Sequence, residues 1–370
     1  MSEYQYYEFR TINRQLSKAE QVAVNNLSSH GHTTATSFSV DYSWGNFKHD
    51  VDTVLAQYFD SAFYLTNWGT TELKFCFPKA LLDLRTIQPY LVDEEEMMVG
   101  TKTVGDRLIV TFARQEEGRE EWVDDSAVLS SVAGLYDQIL QGDRRAFYIA
   151  WLHAADLVGE YGNYLTEETL EPPVPPDLAQ LTPALQAFVD LFAIDEYLIA
   201  AAAQGQSHHE ASPLALRQAL TTLSHAECVD FLQRLLEGED HITVKLKQRL
   251  GLLPTISTDS PVGTRTIGEL MATRDGIQQQ QAQTAAVARE AQRRAALAAL
   301  AARGDAAWQE VEALIAEQKS AGYAQAAKLL AQLGMLATEQ GQTYRYQQRL
   351  AAIRTKYSRR WGLMRELQNL

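Results

Sequence analysis

A chain of 370 residues, 46% hydrophobic and 22% charged, holds enough apolar material for two or three cores and too much for a disordered chain. Its formal net charge of -14 argues against a dedicated nucleic-acid binder, and no run approaches the ~20 apolar residues of a membrane span, so no membrane partner is expected. Only Cys76 and Cys228 are present, which excludes a disulfide framework, and Met1-Ser2-Glu3-Tyr4 lacks the regions of a secretory signal, so a cytoplasmic location is expected.

The first 118 residues read as an α+β domain with an antiparallel or mixed sheet. Tyr7 and Phe9 alternate with Glu8 and Arg10. Phe38, Val40, Tyr42 and Trp44 share one parity, as do Leu73, Phe75 and Phe77, and then Leu108, Val110 and Phe112. Each set lines one strand face, with the opposite face left to solvent. The same parity makes core packing the expectation for Trp44, and core packing is expected for Trp68 too. Ser17-Lys18-Ala19-Glu20 is a capping box that starts the first helix, and Gly105-Asp106 marks a turn before the last strand.

The acidic stretch from Glu116 to Asp125 separates this domain from a helical one expected over 126–253. Phe147, Ala150, Trp151 and Ala154 recur at i, i+3, i+4, i+7, the spacing of one buried stripe. The run Glu171-Pro172-Pro173-Val174-Pro175-Pro176 forbids helix and predicts an extended connector, because proline fixes φ and removes a donor. Helices resume from about Pro183 and from Pro213 to Leu250, where Ser224-His225-Ala226-Glu227 repeats the capping box.

Thr255 to Gly263 has the composition of a linker. Thr266-Ile267-Gly268-Glu269 then opens a long helix or coiled-coil spacer over 264–303, sparse in large apolar residues, ~37 residues and ~55 Å if continuous. A homo-oligomer through this helix is one expectation. After Gly304-Asp305 comes a basic helical-hairpin module over 304–370.

The charge is divided along the chain. The last thirty residues carry seven Lys and Arg against Glu366 alone; Gln281 to Leu370 sums to +6 and Met1 to Gln280 to -20. At 100° per residue, Arg345, Arg349, Lys356, Arg359 and Arg360 fall within about a 100° arc, beside an apolar arc of Tyr346, Leu350, Ile353 and Tyr357. These five cations, with Trp361 as an anchoring or stacking group, are the candidate residues for binding a protein partner or nucleic acid.

The pattern Trp308-x-x-Val311-x-x-Leu314-Ile315, Tyr323-x-x-Ala326 with Leu329-Leu330, Arg349-Leu350 and Tyr357-Ser358-Arg359-Arg360 with Leu363-Met364-x-x-Leu367 resembles the helical tail of bacterial SWIM-type zinc-finger proteins. It covers about the last 70 residues; the Cys-x-Cys and Cys-x-His metal motif is absent, so no zinc site carries over. Leu223 to Leu250 also resembles part of an uncharacterised bacterial family. The resemblance implies a bacterial protein that shares an assembly module with proteins suspected of nucleic-acid roles.

Signatures of phosphate cradles, nucleophile elbows and zincins are missing, and no cofactor is expected. Asp60 with Glu72-Leu73-Lys74 places an acid before Glu-x-Lys on a strand, the residue types of a Mg²⁺-dependent nuclease; the competing reading is a solvated cross-strand face. His208, His209, His225 and Cys228 can be drawn as a zinc site, but they lack the clean pairs such a site needs, and no metal is expected. The reading that follows is a non-enzymatic adaptor or scaffold subunit, docking through its basic C-terminal helices. Its alternatives are a nucleic-acid-associated accessory subunit of a defence or processing complex, and the nuclease.

Overall fold

The computed structural model describes residues 3–93, 97–115, 127–157, 165–204, 213–253, 263–368 and 370. The chain divides into two compact units, Met1–Ile277 and Gln278–Leu370. The first is built on one sheet of eight strands: β1 (Gln5–Arg10), β2 (His32–Thr33), β3 (Ser37–Tyr42), β4 (Ser61–Thr66), β5 (Thr70–Pro78), β6 (Val92–Asp93), β7 (Met97–Val104) and β8 (Arg107–Gln115). Their order is β2-β3-β1-β4-β5-β8-β7-β6, with every pair antiparallel. The strands are those the alternating parity predicts, and Leu73, Phe75 and Phe77 are fully buried along β5.

The expected solvent-facing sheet is corrected: both faces are covered. On one side Tyr7, Phe9, Phe38, Val40, Ala62, Cys76 and Ile109 pack beneath α1 (Lys18–Asn25) and α2 (Val51–Tyr58). The Ser17 capping box forms as the spacing requires. The opposite parity, Phe63, Leu73, Phe75, Phe77, Leu108, Val110 and Phe112, packs against α3 (Val128–Val132), α4 (Gly134–Leu140), α5 (Arg145–Asp156), α6 (Pro183–Phe192) and α7 (Glu196–Ala202). The sheet and these helices therefore share one core, and the boundary expected between 118 and 126 falls within a single unit. That boundary and its acidic stretch lie outside the described residues. Helix α5 belongs to the shared core: it is buried from Ala146 to Ala155 on every side, not along the one stripe expected. The aromatics at the strand ends are corrected as well. Trp44 lies beyond β3 and is 74% exposed, and Trp68, in the β4–β5 turn, is also exposed, at 39%.

The proline run is extended, as predicted, but is not a free linker. The Tyr90 hydroxyl donates to the Pro173 carbonyl at 2.7 Å, and Glu171 is 1% exposed. Arg265 grips that carboxylate with two nitrogens, Nε to Oε1 at 2.8 Å and Nη2 to Oε2 at 3.0 Å, while the Tyr148 hydroxyl donates to Oε2 at 2.7 Å. Arg265 also donates to the carbonyls of Ala201 and Ala202 at the end of α7. The backbones join there too, with Glu171 N–H to the Arg265 carbonyl at 3.0 Å and Gly263 N–H to the Glu171 carbonyl at 2.9 Å. A Cβ at residue 263 would stand 1.9 Å from Glu171 Cγ, so only glycine fits. Removing one partner of such a pair costs about 3–5 kcal/mol, because the other is left charged and buried.

Three further helices, α8 (Pro213–Leu220), α9 (His225–Leu236) and α10 (Ile242–Arg249), precede this junction. After it, α11 (Ile267–Arg303) is one helix of 37 residues, capped by Thr266 and Glu269 as the sequence predicts. Its Ile267 and Leu270 are buried in the first unit, its Leu300 belongs to the core of the second, and every residue from Gln278 to Arg289 is exposed. The second unit adds α12 (Asp305–Ala316), α13 (Ser320–Glu339), α14 (Thr343–Lys356) and α15 (Trp361–Glu366). They close over Ala307, Val311, Ile315, Leu330, Leu350, Ile353 and Leu363. Among the described residues no helix is long and apolar enough to cross a membrane.

His153, inside α5, is 5% exposed and neither ring nitrogen has a hydrogen-bond partner among the described residues. Burial, helped by the Arg114 charge, pulls it from the usual 6.5 down to about 4. Because the unfolded chain binds this proton more readily, the neutral ring's contribution to stability is complete above pH 6.5 and is lost as pH falls toward 4. Urea denaturation of His153→Leu is expected to show a stability difference from wild type that shifts in the variant's favour by up to about 3 kcal/mol between pH 7 and pH 4. A pH-independent difference would contradict the assignment.

Candidate binding surface of the basic helical unit

On α14, Tyr346, Leu350 and Ile353 point into the core as the apolar arc predicts. The Tyr346 hydroxyl donates to the Leu330 carbonyl at 3.0 Å, and burial pushes its phenol above the ordinary value. The turns at Gly304 and Gly341, both at positive φ, lie at the same end of the module. Between them is a groove of about 320 Å³ lined chiefly by Asp305, Trp308, Gln340, Gln342, Arg345 and Arg349. In it Arg349 pairs with Asp305 at 2.6 Å while its guanidinium sits 5.0 Å from the centre of the Trp308 ring.

The other candidate cations divide sharply. Lys356 pairs with Glu312 of α12 at 2.9 Å, and that hydrogen bond lifts its ammonium above the usual range. Arg360 donates to the Ile315 carbonyl, and its guanidinium lies 4.9 Å from the Tyr357 ring centre, a ring that Lys356 also approaches, at 5.1 Å. Arg354 donates to the Leu367 carbonyl at 2.8 Å, and Arg365 lies 3.6 Å from Glu366. Arg345 and Arg359 alone of the seven make no hydrogen bond or ion pair among the described residues. The uniformly basic arc seen in the sequence is thus largely answered by α12 of the same unit, since Asp305 and Glu312 are seven residues apart, two helical turns on one face. Trp361 stands 76% exposed with the Arg365 guanidinium 5.7 Å from its ring centre, and Tyr344 is equally exposed. The structure therefore brings Arg345 and Arg349 together in the groove, gathers Lys356 and Arg360 on Tyr357, and leaves Trp361 on the next helix.

Gln340 and Gln342 escaped sequence reasoning, which named Trp308 only as part of the helical-tail pattern. The spacing of Gly304 and Gly341, one helical hairpin apart, was the signal that could have found them.

The nuclease candidates sit on the first unit's sheet, on the face covered by α1 and α2. Asp60 is bound by Arg107 at 3.0 Å and accepts the Ile12 N–H at 3.0 Å. Lys74 lies between Asp52 at 2.9 Å and Glu72 at 3.3 Å, and Lys102 reaches Asp52 at 2.6 Å. Burial alone would lower Lys74, but the two carboxylates outweigh it and hold the group as an ammonium. The Cys76 N–H donates to the Asp60 carbonyl, so Asp60 lies opposite Cys76, four residues along β5 from Glu72 or roughly 13 Å. The two acids serve different cations and do not converge. Lys74 is also less wet than the solvated-face reading supposed, its side chain being 14% exposed beneath Asp52 of α2. Among the described residues no group of three His, Cys, Asp or Glu is placed to hold a metal ion, and His208, His209 and Glu210 lie outside them.

No known protein family, curated protein or solved structure matches this chain.

Because Arg345 and Arg359 are exposed and unpaired, reversing either charge is expected to change stability by less than about 1 kcal/mol in thermal unfolding. Leu350→Ala, at a fully buried position, is expected to cost about 2–5 kcal/mol. Unfolding of the charge-reversed proteins would mean that these side chains hold the unit together.

Proposed function

We propose that this chain is a non-enzymatic adaptor or scaffold subunit of a bacterial multiprotein assembly, and that its C-terminal helices dock on an acidic protein surface. One observation carries the reading. Among the described residues Arg345 and Arg359 alone of the seven terminal cations make no hydrogen bond or ion pair, while Trp361 and Tyr344 stand three-quarters exposed on the same helical pair. Exposed Trp, Tyr and Arg are the residue types that anchor protein interfaces. A nucleic-acid site instead neutralises many phosphates at once, commonly six to ten, whereas Arg349, Lys356 and Arg365 of this surface already face a carboxylate and four terminal cations remain. The likeness of the tail to that of SWIM-type proteins agrees with an assembly module. The +6 charge of the second unit supports the accessory nucleic-acid subunit as the second reading.

Fluorescence anisotropy with the full chain separates the two. A labelled Glu-rich peptide is expected to bind with a log–log salt slope of about four or less, since four of the terminal cations face no carboxylate. Arg345→Glu with Arg359→Glu should weaken it about tenfold or more. Tighter binding of a duplex DNA or RNA, with a slope of about six or steeper, would replace the adaptor by the nucleic-acid reading.

A further inference from the structure

The face of α8, α9 and α10 is built like a core that lacks its other half. Helix α9 is amphipathic, yet none of its twelve residues is buried. Leu236 is 88% exposed, Leu232 59% and Leu235 55%, with Val229, Leu216 and Leu220 at two-fifths to one-half. At 100° per residue Val229, Leu232 and Leu236 fall within about 60°, forming a ridge. Beside it runs a groove of about 250 Å³ between the three helices, walled by Leu220, Leu223, Phe231, Leu235 and Leu246 and by Leu232, which belongs to ridge and groove alike.

We infer that this face is a homodimer interface in which the α9 ridge of each copy enters the groove of the other. Ridge and groove lie side by side on one patch, and that is what a two-fold axis requires, because the same surface must be both knob and hole. Charge selects a second copy over a charged partner. The first unit is strongly acidic, but Pro213 to Leu250 holds five basic and five acidic residues, a net charge of zero. Three of the five acids are matched within the chain, Glu227 with Arg249 at 2.7 Å, Asp230 with Arg234 at 3.1 Å and Glu239 with Lys245 at 2.6 Å, while Glu237 and Asp240 form no ion pair among the described residues. Two acidic molecules can meet here with no net charge on the segment that each presents. The exposed apolar side chains amount to roughly 600 Å², the upper end for the largest patch on an ordinary monomer. With the groove walls added, the area approaches the ~800 Å² each partner buries in a standard interface. The consequence for an adaptor is bivalency, since each particle would carry two basic ends. The dimer itself does not rest on that reading.

Light scattering coupled to size exclusion tests it on the full chain. At about 10 µM the wild type is expected to run at twice the chain mass and to stay there in about 1 M salt, since the contact is apolar. Leu232→Glu with Leu236→Glu is expected to weaken dimerisation at least a hundredfold and yield monomer, and Leu236→Glu alone guards against misfolding because its side chain is almost wholly exposed. Val287→Glu, on the exposed stretch of α11, should leave the dimer intact. A monomeric wild type, or a dimer broken by Val287→Glu and untouched by the α9 changes, would overturn the inference.

Discussion

The buried pair of Glu171 and Arg265 is the constraint on which the order of the chain depends. A carboxylate 1% exposed can remain ionised only if its charge is met in place, and Arg265 meets it with two nitrogens while Tyr148 supplies a third donor. Those contacts tie the proline connector, the end of α7 and the start of α11 to one point. They also explain Gly263, whose missing side chain lets the two backbones join. Because α11 begins there and goes on to supply Leu300 to the second core, one local arrangement decides where the exposed stretch of that helix starts.

A common economy of charge runs through both units. Arg234, Lys245 and Arg249 of α9 and α10 pair with acids of the same two helices and the turn between them, and Arg349 and Lys356 of α14 pair with acids of α12. Each exposed pair adds little to stability, but its effect on recognition is larger. Pairing removes long-range charge from the surface and leaves short-range features to discriminate: a leucine ridge on α9, and two free arginines with two exposed aromatics on α14 and its surroundings. A net charge read from the sequence overstates what a partner meets.

Much of the fold was legible because local signals there act alone. Parity in Leu73, Phe75 and Phe77 marks a strand face wherever that face packs, and the Ser17, Ser224 and Thr266 boxes close within four residues. The coverage of the sheet was not legible. Nothing in β5 says that the parity of Glu72 and Lys74 would lie under α2, because Asp52 comes from twenty residues away. The basic arc of α14 was visible, but its neutralisation by Asp305 and Glu312 lies some forty residues distant and needs the hairpin to form. Trp44 misled through its parity, which continues past the end of β3 into a loop where alternation has no meaning.

The most direct test of the account is capture of the full-length protein from its own cells, with the bound species identified by mass spectrometry before and after nuclease treatment. The account expects the same protein partner in both samples, and its loss when Arg345, Arg359 and Trp361 are replaced together. Nucleic acid in the first sample and an empty second one would contradict it.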